Sequence, residues 1–338
     1  MFDILDNVLT VLIYPLLPSE RIFWLYLATS LWIAFGVYVL ARVRSGASLS
    51  ARGFARFCFP RAVWRTPSAW LDVRYFLIHQ TLRVWIYGGL KLAVVVGAYR
   101  ALSGTLVAVF GQGADSGTVT LTDQLVVTLI AMLALDGVSY GVHYLQHKLP
   151  LLWEFHKVHH SLRVMNPLSN YREHGVDNLL YALATGVAGG AVAALVFYLR
   201  GHDSAPVVNV LGVNVLVFVF NAAGYNLRHS HIWVAWPGWL GYVLGSPAHH
   251  QVHHSCLPQH VDRNFAFMFP LWDWMFGTLH LPREPEPLEF GLGDGTEDDY
   301  TSVTRLYVLP FVRVYQRWSP ALTNPRRTTA SERSHTES

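Results

Sequence analysis

The sequence predicts an all-α, integral-membrane helical bundle with a cytoplasmic helical cap. Three observations point there. Of the 338 residues, 52% are hydrophobic and 14% are Asp, Glu, Lys or Arg, against roughly 25% charged in an ordinary soluble domain. Apolar runs of about 20 residues, the length that crosses about 30 Å of hydrocarbon, recur along the chain. Histidine is abundant, 17 in all, and 13 of these fall between His143 and His254, so a nitrogen-rich site is concentrated in one stretch. Together these exclude a disordered chain, a disulfide scaffold and a coiled coil. The net charge of +3 is too small to argue for nucleic acid, and no such partner is expected. Cys58 and Cys256 make neither a disulfide framework nor an iron–sulfur motif and are expected to be free thiols.

The elements follow in order. The N-terminus has no basic region before its apolar stretch and no small-residue cleavage site, so it reads as part of the mature protein. Residues 4–17 are apolar but short and contain Pro15, which suits an interfacial segment or half-span. Residues 22–41 form the first span. The second lies within 76–102, its apolar heart at 84–98, with Lys91 in the middle. The third runs from Leu125 toward Tyr140. The fourth and fifth, 179–199 and 207–225, read as a hairpin turning at Gly201 and Pro206. Lys and Arg accumulate in cytoplasmic loops. Arg42, Arg44, Arg52, Arg56, Arg61 and Arg65 therefore place the first loop inside, and Lys148, Lys157, Arg163 and Arg172 do the same for the third. The loop 103–123, with two Asp and no Lys or Arg, belongs outside. The N-terminus is then outside, the C-terminus inside, and every histidine cluster lies at the cytoplasmic end of a span. Residues 306–314 make one more apolar stretch, and the tail from Pro320 reads as disordered. Three segments result: 1–122 with the first membrane spans and the Arg-rich loop, 123–282 with the histidine motifs, and 283–338 as a cytoplasmic C-terminal segment.

The histidines fall into a pattern. His143 and His147, four apart at the end of the third span, share a helix face. His156-Lys-Val-His159-His160 follows, and the same spacing returns at His250-Gln-Val-His253-His254, preceded by His249. At this histidine frequency one such five-residue pattern is expected roughly 0.04 times per chain, so two are not accidental. Imidazole suits Fe, Zn, Cu and Ni, and eight or more are too many for one ion, so the cap is expected to carry a dimetal site. Two ions sharing histidines with open positions would activate oxygen or water rather than serve as scaffold. Asp136, Tyr140, His143 and His147 fall on one helix face, and Asp136 is expected to orient a ligating imidazole through its other ring nitrogen or to make a helix-packing hydrogen bond. Asp262 and Asn264 are candidates for the same task at the third motif, or for capping a turn.

The order His-x-x-x-His, His-x-x-His-His, a further His after an apolar hairpin, then His-x-x-His-His resembles the fatty acid hydroxylase/sterol desaturase superfamily. The resemblance extends to Asp136 and Tyr140, Leu152-Trp153-Glu154-Phe155, Ser246-Pro247-Ala248-His249, Asp262-Arg-Asn264-Phe265 and Trp272-Asp273-Trp-Met-Phe276-Gly277-Thr278, and covers roughly residues 74–310. It implies an integral-membrane oxidoreductase with two histidine-bound Fe ions, Zn being possible in a purified form. Such an enzyme uses molecular oxygen and external electrons to hydroxylate or desaturate a lipid. Carried over, the metal places fall to His143, His147, His156, His159, His160, His250, His253 and His254. His229, in His229-Ser230-His231, takes the additional place, with His231 as its substitute. His174, in Arg172-Glu-His174-Gly-Val-Asp177, and His249 are further candidates; in the first of these Gly175 and Asp177 stand where the family pattern has Pro and Glu, which favours a supporting place for His174.

The substrate would be a membrane lipid, with hydroxylation of a lipid of the bacterial inner membrane favoured. Trp233, Trp236 and Trp239 are candidates for a lateral entrance or for an interfacial belt. The sequence has no dinucleotide-binding glycine motif, no Cys quartet and no fused haem module. A separate ferredoxin- or cytochrome-type donor with its reductase is therefore expected, for which the Arg-rich loop offers a dock, or else an anchor to anionic lipid. Two other classes remain at this level: a zinc-dependent membrane hydrolase, and a metal-binding or transport protein, which would place ionisable residues at the midplane of several spans. His79, His202, His260, His280 and His335 fit no motif and are expected at the surface or the interface.

Overall fold

A computed structural model describes residues 9–114, 118–201 and 206–319. Residues 4–8 of the N-terminal apolar stretch, the tail from 320, His202 and His335 lie outside the described residues. Of the N-terminal stretch, Val11 and Tyr14 are buried against Ile22, Phe76 and Tyr171, so one face of residues 9–17 packs on the bundle.

Among the described residues nine helices of seven or more residues are numbered in chain order: α1 Trp24–Arg44, α2 Ala51–Cys58, α3 Pro67–Phe110, α4 Leu121–Lys148, α5 Pro150–His160, α6 Gly175–Arg200, α7 Val215–Ala222, α8 Pro247–His253 and α9 Val303–Trp318. Among the described residues four helical stretches are long and apolar enough to cross a membrane: Trp24–Arg44, Gly89–Phe110, Leu121–Lys148 and Gly175–Arg200. The ends are set by local chemistry. Thr66 caps α3 by accepting from Ala69 N, with Pro67 at the first helical position. Thr120 and Asp123 form a reciprocal capping box on α4. Gly201, at φ 65°, ends α6 in the left-handed region.

At 1.5 Å per residue α3 is about 66 Å long, twice the hydrocarbon thickness, so its first half rises out of the span and joins the cap. It runs parallel to α6: Tyr87 Oη donates to Gly175 O (2.7 Å) at the start of α6, and Ala114 N, just past α3, donates to Tyr198 O (2.9 Å) near its end. The two helices approach closely because Gly186 and Gly190 face α3; a Cβ on Gly190 would sit 2.4 Å from Val95 O. Antiparallel α4 is tied to them at the far end by the Asp123–Arg200 ion pair.

The fifth span is a correction. Residues 207–225 do return from the far end, where Val208 N donates to Thr128 Oγ1 (2.8 Å), but not as a membrane-length helix. Asn209–Val210 and Val213–Asn214 pair as a tiny hairpin, turned by Leu211 and Gly212 at φ 51° and 79°. Asn214 then caps the eight-residue α7, and a 3₁₀ turn, Tyr225–Leu227, leads to His229.

The cap is built on α5, the loop 161–174, α8 and α9. Leu71 and Tyr75 of α3, Val158 of α5, Tyr300 and Leu306 of α9 share one core. Buried Arg172 donates through Nε to Asp72 Oδ1 (2.7 Å), and Asn166 donates to Asp72 Oδ2 (2.7 Å), pinning the loop after α5 to the start of α3. His79 is also in this core and not at the surface, its Nδ1 2.7 Å from Tyr307 Oη; burial holds its pKa down at about 4.

Candidate metal centre

The first two histidines close α4. Leu149 and Pro150 turn the chain directly into α5, which carries His156, His159 and His160 over the same point. Helix α8 is only seven residues long, capped by Ser246 accepting from His249 N, and Gln251 anchors it by donating to the carbonyls of Leu227, Ser230 and Ile232, each at 3.0 Å. Those carbonyls flank His229, so one side chain sets the third motif against the additional histidine.

Nine imidazoles converge as two abutting groups. His143, His147, His156, His160 and His253 form one, and His159, His229, His250 and His254 the other; within each, the candidate ligand nitrogens lie within 4.8 Å of one another. The rings of His160 and His254 stack at 4.5 Å between centroids where the groups meet.

The outward nitrogens explain why the inward ones are free. His143 Nδ1 donates to Phe265 O (2.7 Å), His159 Nδ1 to Arg172 O (3.3 Å) and His253 Nδ1 to Arg263 O (2.8 Å). A carbonyl only accepts, so these rings carry their proton on Nδ1 and turn a lone pair inward. Ser169 gives its hydroxyl hydrogen to Asn166 O, so its contact with His229 Nδ1 (2.9 Å) is also one the imidazole donates. Asp177 stands 3.4 Å from His156 Nδ1, and Asp262 3.5 Å from His147 Nδ1. The result is a set of buried ring nitrogens without a hydrogen-bond partner: Nε2 of His147, His156, His160 and His253, and Nδ1 of His254. Such atoms are costly unless something binds them.

In the second group His229 Nε2 and His254 Nε2 stand 2.9 and 3.1 Å from His250 Nε2, about the spacing of neighbouring ligands on an ion with bonds of ~2.1 Å. Burial, with repulsion from neighbouring rings and Arg228, drives His229 and His250 well below the ordinary imidazole pKa. Burial also lowers His156, His160, His253 and His254, and brings His159 to about 4. All are neutral and ligand-competent at pH 7. The donor set therefore fits two divalent ions.

A family model described as fatty acid hydroxylase matches residues 128–278, the stretch that carries all nine of these histidines. Over 152 residues the chain is 32% identical to the alkylglycerol monooxygenase of Danio rerio, covering 44% of this chain and 30% of that one. It is 31% identical over 169 residues to the cholesterol 25-hydroxylase of Mus musculus, covering 47% and 49%. With the ornithine lipid hydroxylase OlsE of Rhizobium tropici it shares 24% over 209 residues, covering 61% and 57%. Residues 128–278, a little under half of this chain, are thus similar to the fatty acid hydroxylase family. The chain spans between 30% and 57% of these three relatives. No solved structure gives a significant match.

Within this matched stretch the other expected site residues fall elsewhere. Asp136 orients no imidazole. It lies about two helical turns below His143, and its carboxylate accepts from Met268 N (2.8 Å) and Phe269 N (3.0 Å). Tyr140 likewise meets Thr278, Oη to Oγ1 at 3.1 Å, and touches no histidine of the two groups through that hydroxyl. His174 caps α6, its Nδ1 accepting from Val176 N. His231 is exposed, 2.7 Å from Phe57 O, and His249 is turned back on Ser246. None of these three joins a group. Asp262 serves the first motif and not the third, held at a pKa of about 2 by its hydrogen bond to His147 and by Lys148 against the effect of burial. Asn264 holds the backbone, donating to His249 O and accepting from His280 N.

Arg228 was not singled out by the sequence. It donates to Phe267 O (2.9 Å) and to His250 Nδ1 (3.0 Å), so neutral His250 keeps its proton on Nε2, facing His229, and a metal binding there displaces it. His260 is fully buried and not superficial; with His280 and Glu286 it forms a third group, tied to Ser255 just beyond α8. A cavity of about 560 Å³ opens beside the two histidine groups, reached by His143, His156, His159 and His250. Trp233, Trp236 and Trp239 do not line it, and Trp239 is 74% exposed.

Proposed function

We propose that this chain is a membrane-embedded oxygenase that hydroxylates a membrane lipid at two irons held by nine histidines. The observation that carries the reading is the pair of abutting, neutral, buried imidazole groups, the first with unpartnered inward nitrogens and the second with three Nε2 atoms drawn together, opening on a cavity at the head of membrane-length helices. One ion would take His143, His147, His156, His160 and His253, and the other His159, His229, His250 and His254. Bound there, the irons would supply reductive activation of oxygen.

The chain's own residues hold the geometry. The Phe265 and Arg263 carbonyls fix the rings of His143 and His253, Asp177 backs His156, and Asp262 backs His147. Phe265 and Phe267 wall the cavity on one side. The overall reaction converts C–H and O₂, with two electrons and two protons, to C–OH and water. The electrons come from a separate ferredoxin- or cytochrome-type donor, docking near the exposed arginines of the 42–65 loop on the cytoplasmic side of a bacterial inner membrane. The three relatives, named as hydroxylases or monooxygenases, support hydroxylation over desaturation.

The test is metal analysis of anaerobically purified protein together with oxygen uptake under reducing conditions and mass spectrometry of the cell's lipids. The expected result is about two irons per chain, oxygen-dependent turnover and a lipid heavier by one oxygen atom. Zinc alone with no oxygen uptake would overturn the reading in favour of a hydrolase.

A further inference from the structure

The cavity beside the histidines has an electrostatic feature that metal binding does not use. Helix α3 presents Arg83, Tyr87 and Lys91 to it at intervals of four residues, one face of the helix. Tyr87 is engaged with Gly175 O. Among the described residues neither Arg83 nor Lys91 has a carboxylate within 4.0 Å or a side-chain hydrogen bond, although nine pairs of Lys or Arg with a carboxylate form at other residues.

The other charges of the lining are committed. Arg21 pairs with Glu173 (3.1 Å) and Arg228 with His250 and Phe267 O. Asp177 is taken by Gln146 and His156. Glu20 is the one acid of the lining without an ion pair, a single negative charge against two free cations. The histidine groups themselves contain no carboxylate, so nothing there offsets the excess. Lys91 stands two residues into the membrane-length stretch Gly89–Phe110, at the end nearest the histidine groups, where its ammonium and the Arg83 guanidinium can reach an anionic lipid head at the interface.

We propose that this cavity takes its lipid by an anionic head, a phosphate or carboxylate, held between Arg83 and Lys91. The inference rests on the lipid-hydroxylase reading of the site and narrows its substrate to ionised amphiphiles, away from neutral alcohols such as sterols. An anion with several oxygens accepts from the guanidinium and the ammonium together, and such charge-assisted hydrogen bonds are stronger than those between neutral groups.

The test is equilibrium binding of hexadecyl phosphate and of hexadecanol to the full chain in neutral detergent, with iron bound and after EDTA. The expected result is a preference of about tenfold or more for the phosphate in both metal states. In an R83Q/K91Q double variant that preference is lost while hexadecanol binding is retained, which shows that the variant is folded. Equal affinity for the two amphiphiles overturns the proposal, as does a preference that survives R83Q/K91Q. A preference abolished by EDTA alone assigns the anion to the metals and overturns it too. Inorganic phosphate at millimolar concentration should compete weakly; if it binds as tightly as hexadecyl phosphate, the ligand is a free anion and not a lipid. Failure of the hydroxylase reading is separately visible: phosphate preference with no oxygen-dependent turnover leaves this site standing and removes that function, and turnover without preference does the reverse.

Discussion

At the scale of single residues two acids, Asp136 and Asp273, hold the centre through the backbone and not through an imidazole. Asp136 accepts from Met268 N and Phe269 N, and Asp273 accepts from Phe265 N (2.8 Å) and Ala266 N (2.9 Å). The loop so gripped turns its carbonyls to the rings: Phe265 O to His143, Arg263 O to His253, and Phe267 O to Arg228 behind His250. The order is carboxylate, backbone, imidazole. Asp136→Ala would leave two buried N–H groups without acceptors, each costing about 1–3 kcal/mol. The expected outcome is a clear fall in thermal stability and faster loss of metal to a chelator. Asp136→Asn, which keeps one acceptor oxygen, should recover part of both. Wild-type melting and metal retention in Asp136→Ala would mean that Asp273 alone holds the loop. The sequence showed Asp136 on the helix face of His143, and it was natural to link the two. Helical periodicity carries no information about a loop more than 120 residues away, and that is where the partner lies.

Among elements, those set by length and local chemistry were legible, and those set by backbone geometry were not. The first four apolar runs appear as membrane-length helices because nothing interrupts them. The fifth looked equivalent because it carries no charge, yet Asn209, Gly212 and Asn214 make a hairpin and a cap where a hydropathy window sees only apolar neighbours. The nine histidines could be placed from their spacing and the family resemblance. Asp177 as the partner of His156, and Gln251 as the anchor of α8, depend on contacts across the fold and could not. Close packing of α3 on α6 makes a discriminating pair of variants. A methyl group at Gly190 would meet Val95 O at 2.4 Å and Ala98 Cβ at 2.8 Å, both on α3, whereas one at Gly189 would have only Leu135 Cδ2 at 4.0 Å. Gly190→Ala should therefore cost about 1–3 kcal/mol through forced separation of the helices, and Gly189→Ala should be neutral or better, since alanine favours helix. Thermal unfolding of the two in the same detergent checks this; equal midpoints would mean that α3 and α6 do not pack at this register.

For the whole molecule the concentration of buried neutral imidazoles dictates a dependence on pH. His159 and His79 are held at about 4 and His249 at about 3, each chiefly by burial, against about 6.5 in an unfolded chain. The folded state therefore binds fewer protons than the unfolded state between those values, so stability is full above about pH 6.5 and falls as pH drops toward 4. The acids act in a different window. Glu173, opposed by burial but held at about 2 by Arg21 and its other cationic neighbours, contributes stability that is lost only below its unfolded value of about 4.5. A decline beginning near pH 6.5 is thus a histidine effect. Bound metal adds to it, because protons compete for the same ring nitrogens. His79 and His249 lie outside both groups, so part of the decline must persist without metal. Melting midpoints of iron-loaded and EDTA-treated protein between pH 8 and pH 4 should both fall below about 6.5, more steeply for the loaded form, with metal appearing in solution over the same interval. A midpoint that stays level in the EDTA-treated protein down to about pH 5 would show that these imidazoles are already protonated, or solvated, in the folded state.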